Sequence, residues 1–459
     1  TEERRGGAFQ IGVDHVSRVL GLAVGNLYIL CAIVTLYEVI ARYAFNAPTQ
    51  WAFEVVMVLC ATAWMLSAGF VTLQKRHIGI TVFYLMASDR TRWWLDLFAM
   101  VVGVFALYML ISDTLIRALE SIDLIERAGT GWNSPLPMIL KTVLVAGLFL
   151  YLIQLLVNLS RHFQSRTLEV GVLALTALIV LRYLIQIGHH YLGGESFFGQ
   201  IDESINAFGN TMLNPREYGI NVREYGIGYV SLGIVAVLLL LMMTGMPLGI
   251  VTLIISVVCA FLFFGPKGLY LVSTNAFGLL EKYPLVAVPL FVLMATILER
   301  AGIAEDLFDA MSIFAGNLRG GVALQTTIVA VILAAMSGVM GGEIVMLGLV
   351  ALPQLLRLKY DRKLAIGLIC AAGALATLIP PSIVMIVYGL SADVAIGDLF
   401  AAGFIPGLML ATFYVTYVLV RCNINPALAP TAAEIAEMQG GETQGLSRDR
   451  MLAVLLCIV

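Results

Sequence analysis

Residues 322–356 form an apolar run that ordinary membrane crossings do not accommodate. Arg319 precedes it, and Arg357, Lys359, Arg362 and Lys363 follow it. As one helix it would be roughly 50 Å long at 1.5 Å per residue, whereas the hydrocarbon core is about 30 Å thick. Two full passes of about 20 residues each would need more chain. Basic residues at both ends put both ends on the cytoplasmic side. The middle is broken by Ser337-Gly338-Val339-Met340-Gly341-Gly342-Glu343. A re-entrant hairpin that turns near mid-membrane meets all of these conditions. Bent backbone at that depth is tolerated only where protein buries it or it lines a cavity, so the turn is a candidate ion or substrate site.

The rest of the chain is of the same kind. It is 60% hydrophobic and 12% charged, about half the charge of a soluble chain. These features specify an all-α polytopic membrane protein. The net charge of −3 comes without a basic, aromatic-interleaved patch, so nucleic acid is not an expected partner. No GxxxxGK[ST] loop occurs, so ATP is not expected to bind. The six cysteines show no CxxC or Cys/His spacing, which argues against a disulfide framework or a zinc site. No acid/base or nucleophile set points to an enzyme. The start has no signal-peptide pattern, and Met451–Val459 reads as the opening of another span, so the sequence reads as a piece of a longer chain.

Four apolar segments, about Val16–Tyr43, Trp51–Leu73, Trp93–Leu119 and Pro137–Leu159, make a first unit, residues 1–166. Arg4, Arg5, Arg18, Lys75, Arg76, Arg90, Arg92, Arg161 and Arg166 put both of its ends in the cytoplasm. Residues 167–227 connect it onward through a fifth helix, about Leu168–Ile187, and an external polar loop. That loop carries the repeat Arg216-Glu217-Tyr218-Gly219-Ile220 and Arg223-Glu224-Tyr225-Gly226-Ile227. A second unit, 228–421, holds crossings near Gly228–Thr244, to Phe264, Pro284–Leu298, Leu364–Tyr388 and Asp398–Val420, plus the hairpin. Gly265–Tyr283 is expected outside, with partial re-entry into the membrane as the alternative. Residues 303–316 are expected to form an amphipathic interfacial helix. A cytoplasmic linker and the start of a new span occupy 422–459. The second unit starts outside and ends inside, so a following copy would have inverted topology, a recurring device of secondary transporters.

Two constellations could carry chemistry. In the hairpin turn, Gly338, Gly341 and Gly342 permit backbone shapes closed to other residues, and the carbonyls and the Ser337 hydroxyl are hard oxygen donors suited to Na⁺. The glycines could equally serve tight helix packing. The second constellation is Ala376-Thr377-Leu378-Ile379-Pro380-Pro381-Ser382. Its two prolines remove backbone donors, break the helix and free carbonyls near Ala376–Ile379. A simple kink satisfied by Thr377 or Ser382 is the alternative. Glu343 could bind a cation, relay a proton or pair with an arginine. Glu38 with Arg42, and Glu54 with Trp51, read as scaffold. His189 and His190 stand in a polar loop without a carboxylate at ligand spacing.

At these residues the sequence resembles the tripartite ATP-independent periplasmic (TRAP) transporters, with small and large membrane subunits fused. The small-subunit likeness rests on Glu38-Val39-Ile40-Ala41-Arg42-Tyr43, Phe45-Asn46-Ala47-Pro48, Trp51, Glu54 and Lys75-Arg76-His77-Ile78. The large-subunit likeness rests on Gly245-Met246-Pro247-Leu248-Gly249, Pro289-Leu290-Phe291, Gly316-Asn317-Leu318-Arg319-Gly320-Gly321, Ser337-Gly338 and Leu378-Ile379-Pro380-Pro381-Ser382. The resemblance implies a four-helix small-subunit unit, a connector helix and the first inverted repeat of an elevator-type transporter. It also implies Na⁺ as coupling ion, a carboxylate-bearing solute, a periplasmic substrate-binding protein as partner and the bacterial inner membrane as location. By similarity, a sodium site lies between hairpin tip and broken helix, at Ser337, Val339, Ala376, Ile379 and Pro381. Gly338, Gly341, Gly342, Glu343, Thr377 and Ser382 are then substrate or gate residues. The family often has a Ser at the position of Val339 and a Gly before the Leu-Ile-Pro-Pro run, where this chain has Ala376; carbonyl ligands survive both changes. A stand-alone elevator-type carboxylate symporter and a non-transporting membrane scaffold or channel are the competing readings.

Overall fold

The computed structural model describes residues 7–163, 166–193, 200–201, 226–265, 268–302, 306–308, 311 and 318–430. Its described regular structure is helical, and seven helical segments are long and apolar enough to cross a membrane. Contacts divide the chain into two compact units, Thr1–Tyr283 and Pro284–Val459.

The first unit holds α1 (Ala8–Gly25), α2 (Leu27–Ala44), α3 (Ala52–Leu73), α4 (Asp89–Asp123), α5 (Leu136–His162), α6 (Arg166–Leu192), α7 (Ile227–Met243), α8 (Leu248–Phe264) and α9 (Leu269–Leu280). Its core comes from side chains spaced four apart: Leu107, Ile111, Leu115 and Leu119 of α4 meet Leu152, Leu155 and Leu156 of α5 and Tyr183 of α6. Such spacing puts side chains on one helix face. Between α3 and α5 the backbones come so close that a methyl group on Gly147 would lie 2.6 Å from the Met65 carbonyl oxygen. Lipid gives no hydrophobic drive between helices, so small residues and polar side chains hold this bundle.

The polar side chains form a chain of contacts. Ser17 donates to Gln154 at 2.7 Å, Gln154 to Asp14 at 3.0 Å, and Asn158 to the Thr72 carbonyl at 3.1 Å. Arg161 pairs with Asp14 at 2.6 Å. The Thr72 hydroxyl donates to the Ala68 carbonyl and faces His77 Nε2 at 2.8 Å. His77 stacks on Tyr151 with ring centroids 5.2 Å apart. The loop it anchors then accepts a bond from Leu248, whose N–H lies 2.8 Å from the Ile78 carbonyl. The motif Lys75-Arg76-His77-Ile78 thus ties α3 to the start of α8.

Several helices exceed the apolar segments. The first starts at Ala8 rather than Val16, α4 runs from Asp89 to Asp123, and α6 reaches Leu192. Hydrophobic runs mark the part of a helix that faces lipid, whereas backbone bonding continues through polar ends. His189 and His190 therefore fall in the last turn of α6, not in a loop, and His190 Nε2 lies 2.6 Å from Asp123. The scaffold reading of the acids agrees with their contacts. Arg42 pairs with Glu38 at 2.6 Å, and buried Glu54 accepts the hydroxyls of Thr130 and Ser134 and the Ser134 N–H. Gly265–Tyr283, expected as an external stretch, contains α9, whose Ser273 donates to Asp113 while Arg117 lies 3.7 Å from the Tyr270 ring. The boundary between compact units falls inside the sequence unit 228–421, because α8 and α9 bury their faces against α4 and α5.

The second unit holds α10 (Ala287–Arg300), α11 (Gly321–Ser337), α12 (Met340–Arg357), α13 (Arg362–Gly373), α14 (Ile383–Ala392) and α15 (Ile396–Ile424). Alpha11 and α12 form a helical hairpin: only Gly338 and Val339 separate them, and Val322 near the start of α11 shares a core with Leu355 near the end of α12. Val322, Ala323, Val329, Ala330 and Leu333 share one core with Met346, Leu347, Ala351 and Leu355 and with α13 and α15. Leu307, Phe308 and Met311 join that core, while residues 303–305, 309–310 and 312–316 of the expected helix lie outside the described residues. So do nearly all of the Arg-Glu-Tyr-Gly-Ile repeat and residues 431–459.

Gly147→Ala should lower the unfolding temperature of the purified protein by the equivalent of about 1–3 kcal/mol, the usual cost of overpacking. Gly25→Ala, which meets nothing within 4 Å, should not. Burial holds the His77 imidazole below its ordinary value. Stability that depends on neutral His77 is therefore complete above about pH 6.5 and declines as pH falls below it. A thermal-unfolding series across pH 5.5–7.5 should show this decline shrinking in His77→Gln.

Candidate functional site

The two constellations singled out in the sequence meet in the second unit. Alpha11 ends at Ser337 because Gly338 takes a left-handed conformation, φ +62°, and caps it by donating to the Ala334 carbonyl at 3.2 Å. Glycine reaches that region without steric cost. Val339 is extended, and α12 starts at Met340. The tip rests on the broken helix: a methyl group on Gly338 would sit 2.4 Å from the Pro381 carbonyl oxygen. The Ile383 N–H points at the Gly338 carbonyl, 3.4 Å away.

The break is as the double proline requires. Alpha13 ends at Gly373, tightens into a 3₁₀ turn over Ala374–Thr377, leaves helical geometry through Leu378–Ser382 and resumes as α14 at Ile383. Pro380 and Pro381 have no N–H, so the carbonyls four residues earlier, Ala376 and Thr377, lose their helical donors. Ser382 replaces one, its hydroxyl donating to the Thr377 carbonyl at 2.8 Å. The Thr377 hydroxyl donates to Ala374 at 2.8 Å. Ile379 donates back to Leu375 at 2.8 Å, which leaves the Ala376 carbonyl without a helical partner. Ala376 and Ile379 are buried.

Sequence reasoning missed what seats this break. Alpha15 approaches it at two glycines: a methyl group on Gly403 would lie 2.8 Å from the Leu378 carbonyl oxygen, and one on Gly407 would lie 2.7 Å from the Ile379 side chain. Gly403-Phe404-Ile405-Pro406-Gly407 is a small-xxx-small pattern, legible in advance as a close-approach face. Gly373 likewise admits Ile344 of α12.

The arrangement collects helix ends of both signs. Alpha11 and the 3₁₀ turn present C-terminal carbonyls, the negative ends of their dipoles, which favour a cation. Alpha12 and α14 begin here with N-terminal amides, which favour an anion. The first bond of α12 is donated by Glu343 to Val339 at 3.2 Å, so the amides of Met340, Gly341 and Gly342 precede the ladder. Methyl groups on Gly341 and Gly342 would meet nothing within 4 Å. Those two glycines therefore border open space and are not what shapes the turn; Gly338 does that. Ser337 is buried, and its hydroxyl has no partner among the described residues. Thr377 and Ser382 differ from it in that their protons are already engaged within the break.

Comparison with known proteins agrees with the division of the sequence. The family profile described as tripartite ATP-independent periplasmic transporters, DctQ component, matches residues 31–165, and that of the DctM component matches residues 235–459. The C4-dicarboxylate TRAP transporter large permease protein DctM of Pseudomonas aeruginosa is 34% identical over 36% of this chain and 40% of its own length. The isethionate TRAP transporter permease protein DctMQ of Oleidesulfovibrio alaskensis is 31% identical over 32% of this chain and 23% of its own length. The sialic acid TRAP transporter permease protein SiaT of Haemophilus influenzae is 23% identical over 84% of this chain and 58% of its own length. The chain thus spans less than two thirds of the length of each of these relatives.

Gly338→Ala should be severe, because it meets both a disfavoured φ and the Pro381 carbonyl; a fall in unfolding temperature is the measurement. Gly341→Ala should leave stability unchanged. Ser382→Ala should cost about 1 kcal/mol, the usual worth of the hydrogen bond it removes.

Proposed function

We propose, from the premise that the chain belongs to the tripartite ATP-independent periplasmic transporter family as a DctQ and a DctM component joined in one polypeptide, that it serves Na⁺-coupled uptake of a carboxylate-bearing solute. The observation that carries the reading is the seating of the hairpin tip on the double-proline break. Na⁺ is held there by the Ser337 hydroxyl and by carbonyls of Val339, Ala376, Ile379 and Pro381. The amides ahead of Gly342, with the open space over Gly341 and Gly342, face the solute's carboxylate. Broken helices that give carbonyl ends to a cation and amide ends to an anion are a recurrent solution in secondary transporters.

A periplasmic substrate-binding protein delivers the solute, and the bacterial inner membrane is the site of action. The relatives' names support an anionic or small organic cargo: C4-dicarboxylate, sialic acid and isethionate for the three above, ectoine for a permease of Halomonas elongata. Transport proceeds by an elevator-type movement of the second unit, with the first unit as scaffold. Two separately compact units, the second containing hairpin and break, support that division of labour.

The test is uptake of radiolabelled carboxylates by the full-length protein in liposomes, with its binding protein outside and an inward Na⁺ gradient. Accumulation should need both the gradient and the binding protein. It should fall at least tenfold in Ser337→Ala and in a double alanine variant of Pro380 and Pro381. Uptake indifferent to Na⁺ and to the binding protein would contradict the reading.

A further inference from the structure

We propose that Glu343 supplies the negative charge that balances the cation at the hairpin tip, an inference that rests on the sodium-coupled reading above. The inward stripe of α12 is Glu343, Met346, Leu347, Ala351 and Leu355, all buried on one helix face. Every member is apolar except the one nearest the tip. Glu343 is 1% exposed, and neither carboxylate oxygen has a hydrogen-bond partner among the described residues. Glu54, equally buried at 1%, accepts from Thr130 and from the N–H and hydroxyl of Ser134. The fold therefore satisfies one buried acid completely and leaves the other bare.

A carboxylate in such a place is strongly disfavoured unless a positive charge comes to it. No described side chain supplies one. Alpha11, packed against α12, carries no titratable residue, and neither does the 3₁₀ turn Ala374–Thr377. The cations of α13, Arg362 and Lys363, stand at the end opposite Gly373, where Ile344 packs, about 15 Å away along the helix. Arg357 lies at the far end of α12 itself. Helical side chains lean toward the helix N-terminus, so Glu343, one turn into α12, leans toward the tip. Its own N–H bonds the Val339 carbonyl at 3.2 Å. On the other side of the tip, the buried Ser337 hydroxyl is also without a partner. Two unsatisfied oxygen groups thus flank a turn already lined by carbonyl ends, and a Na⁺ answers all of them together.

The experiment is thermal unfolding of the full-length protein against NaCl concentration, with ionic strength held by choline chloride. Wild type should be stabilised by Na⁺ with a defined midpoint. Glu343→Gln should raise that midpoint at least tenfold while leaving the unfolding temperature in choline unchanged or higher. Glu343→Met extends the apolar stripe, should fold if the amide does not, and should raise the midpoint likewise; Glu343→Asp should keep it near wild type. A wild-type midpoint in Glu343→Gln or Glu343→Met would overturn the proposal and leave sodium coupling standing. A wild type indifferent to Na⁺ would overturn both.

Discussion

The contact between Gly338 and Pro381 is the constraint on which the second unit depends. A chain that turns inside a membrane must hide the backbone groups it exposes, because no water is there to satisfy them. Here two interruptions hide each other. The hairpin tip has carbonyls left over at the end of α11, and the broken helix has carbonyls left over where proline removed their donors. Pressed together, they meet part of that need: Gly338 accepts from the Ile383 N–H and Thr377 from the Ser382 hydroxyl, while the Ala376 carbonyl keeps no helical donor. Oxygen acceptors gathered in a protein interior are what the proposed Na⁺ site rests on. Gly403 and Gly407 bring α15 against the far side of the break and complete the enclosure.

The first unit solves a different problem with different means. Its helices meet through small residues and through a run of side-chain hydrogen bonds from Ser17 through Gln154 and Asn158 to Thr72 and His77. Those bonds fix helix register, a task that uniform apolar packing in lipid does poorly. Its buried acid, Glu54, is saturated by a loop that folds over it. On the proposed function, a scaffold needs this kind of closure, and a moving ion-binding unit would need the opposite, a few groups held open for a ligand. The two buried glutamates, Glu54 and Glu343, express that difference in one chain.

Much of this was legible in the sequence. An interruption at Ser337–Glu343 follows from its glycine-rich sequence, and the break from Pro380-Pro381; the structure interrupts its helices at both places. Helix ends were read too short, because hydropathy reports lipid contact and not backbone bonding. The sequence of Gly265–Tyr283 allows an outer stretch or a partial re-entry; that it holds α9 depends on polar residues such as Ser273 bonding to side chains of α4 that only the folded chain brings near. The meeting of residues 338 and 381 could not be read, since no local signal links positions some forty residues apart. The roles of Thr377, Ser382 and Ser337 were likewise undecidable from type alone. Geometry separates two hydroxyls that serve the break from one left unpartnered.

The most direct test is a high-resolution structure of the full-length protein in lipid nanodiscs, determined once in Na⁺ and once in choline. The account predicts density in Na⁺ alone, coordinated by the Ser337 hydroxyl and the carbonyls of Val339, Ala376 and Ile379. An empty tip in Na⁺, or the same density in choline, would contradict it.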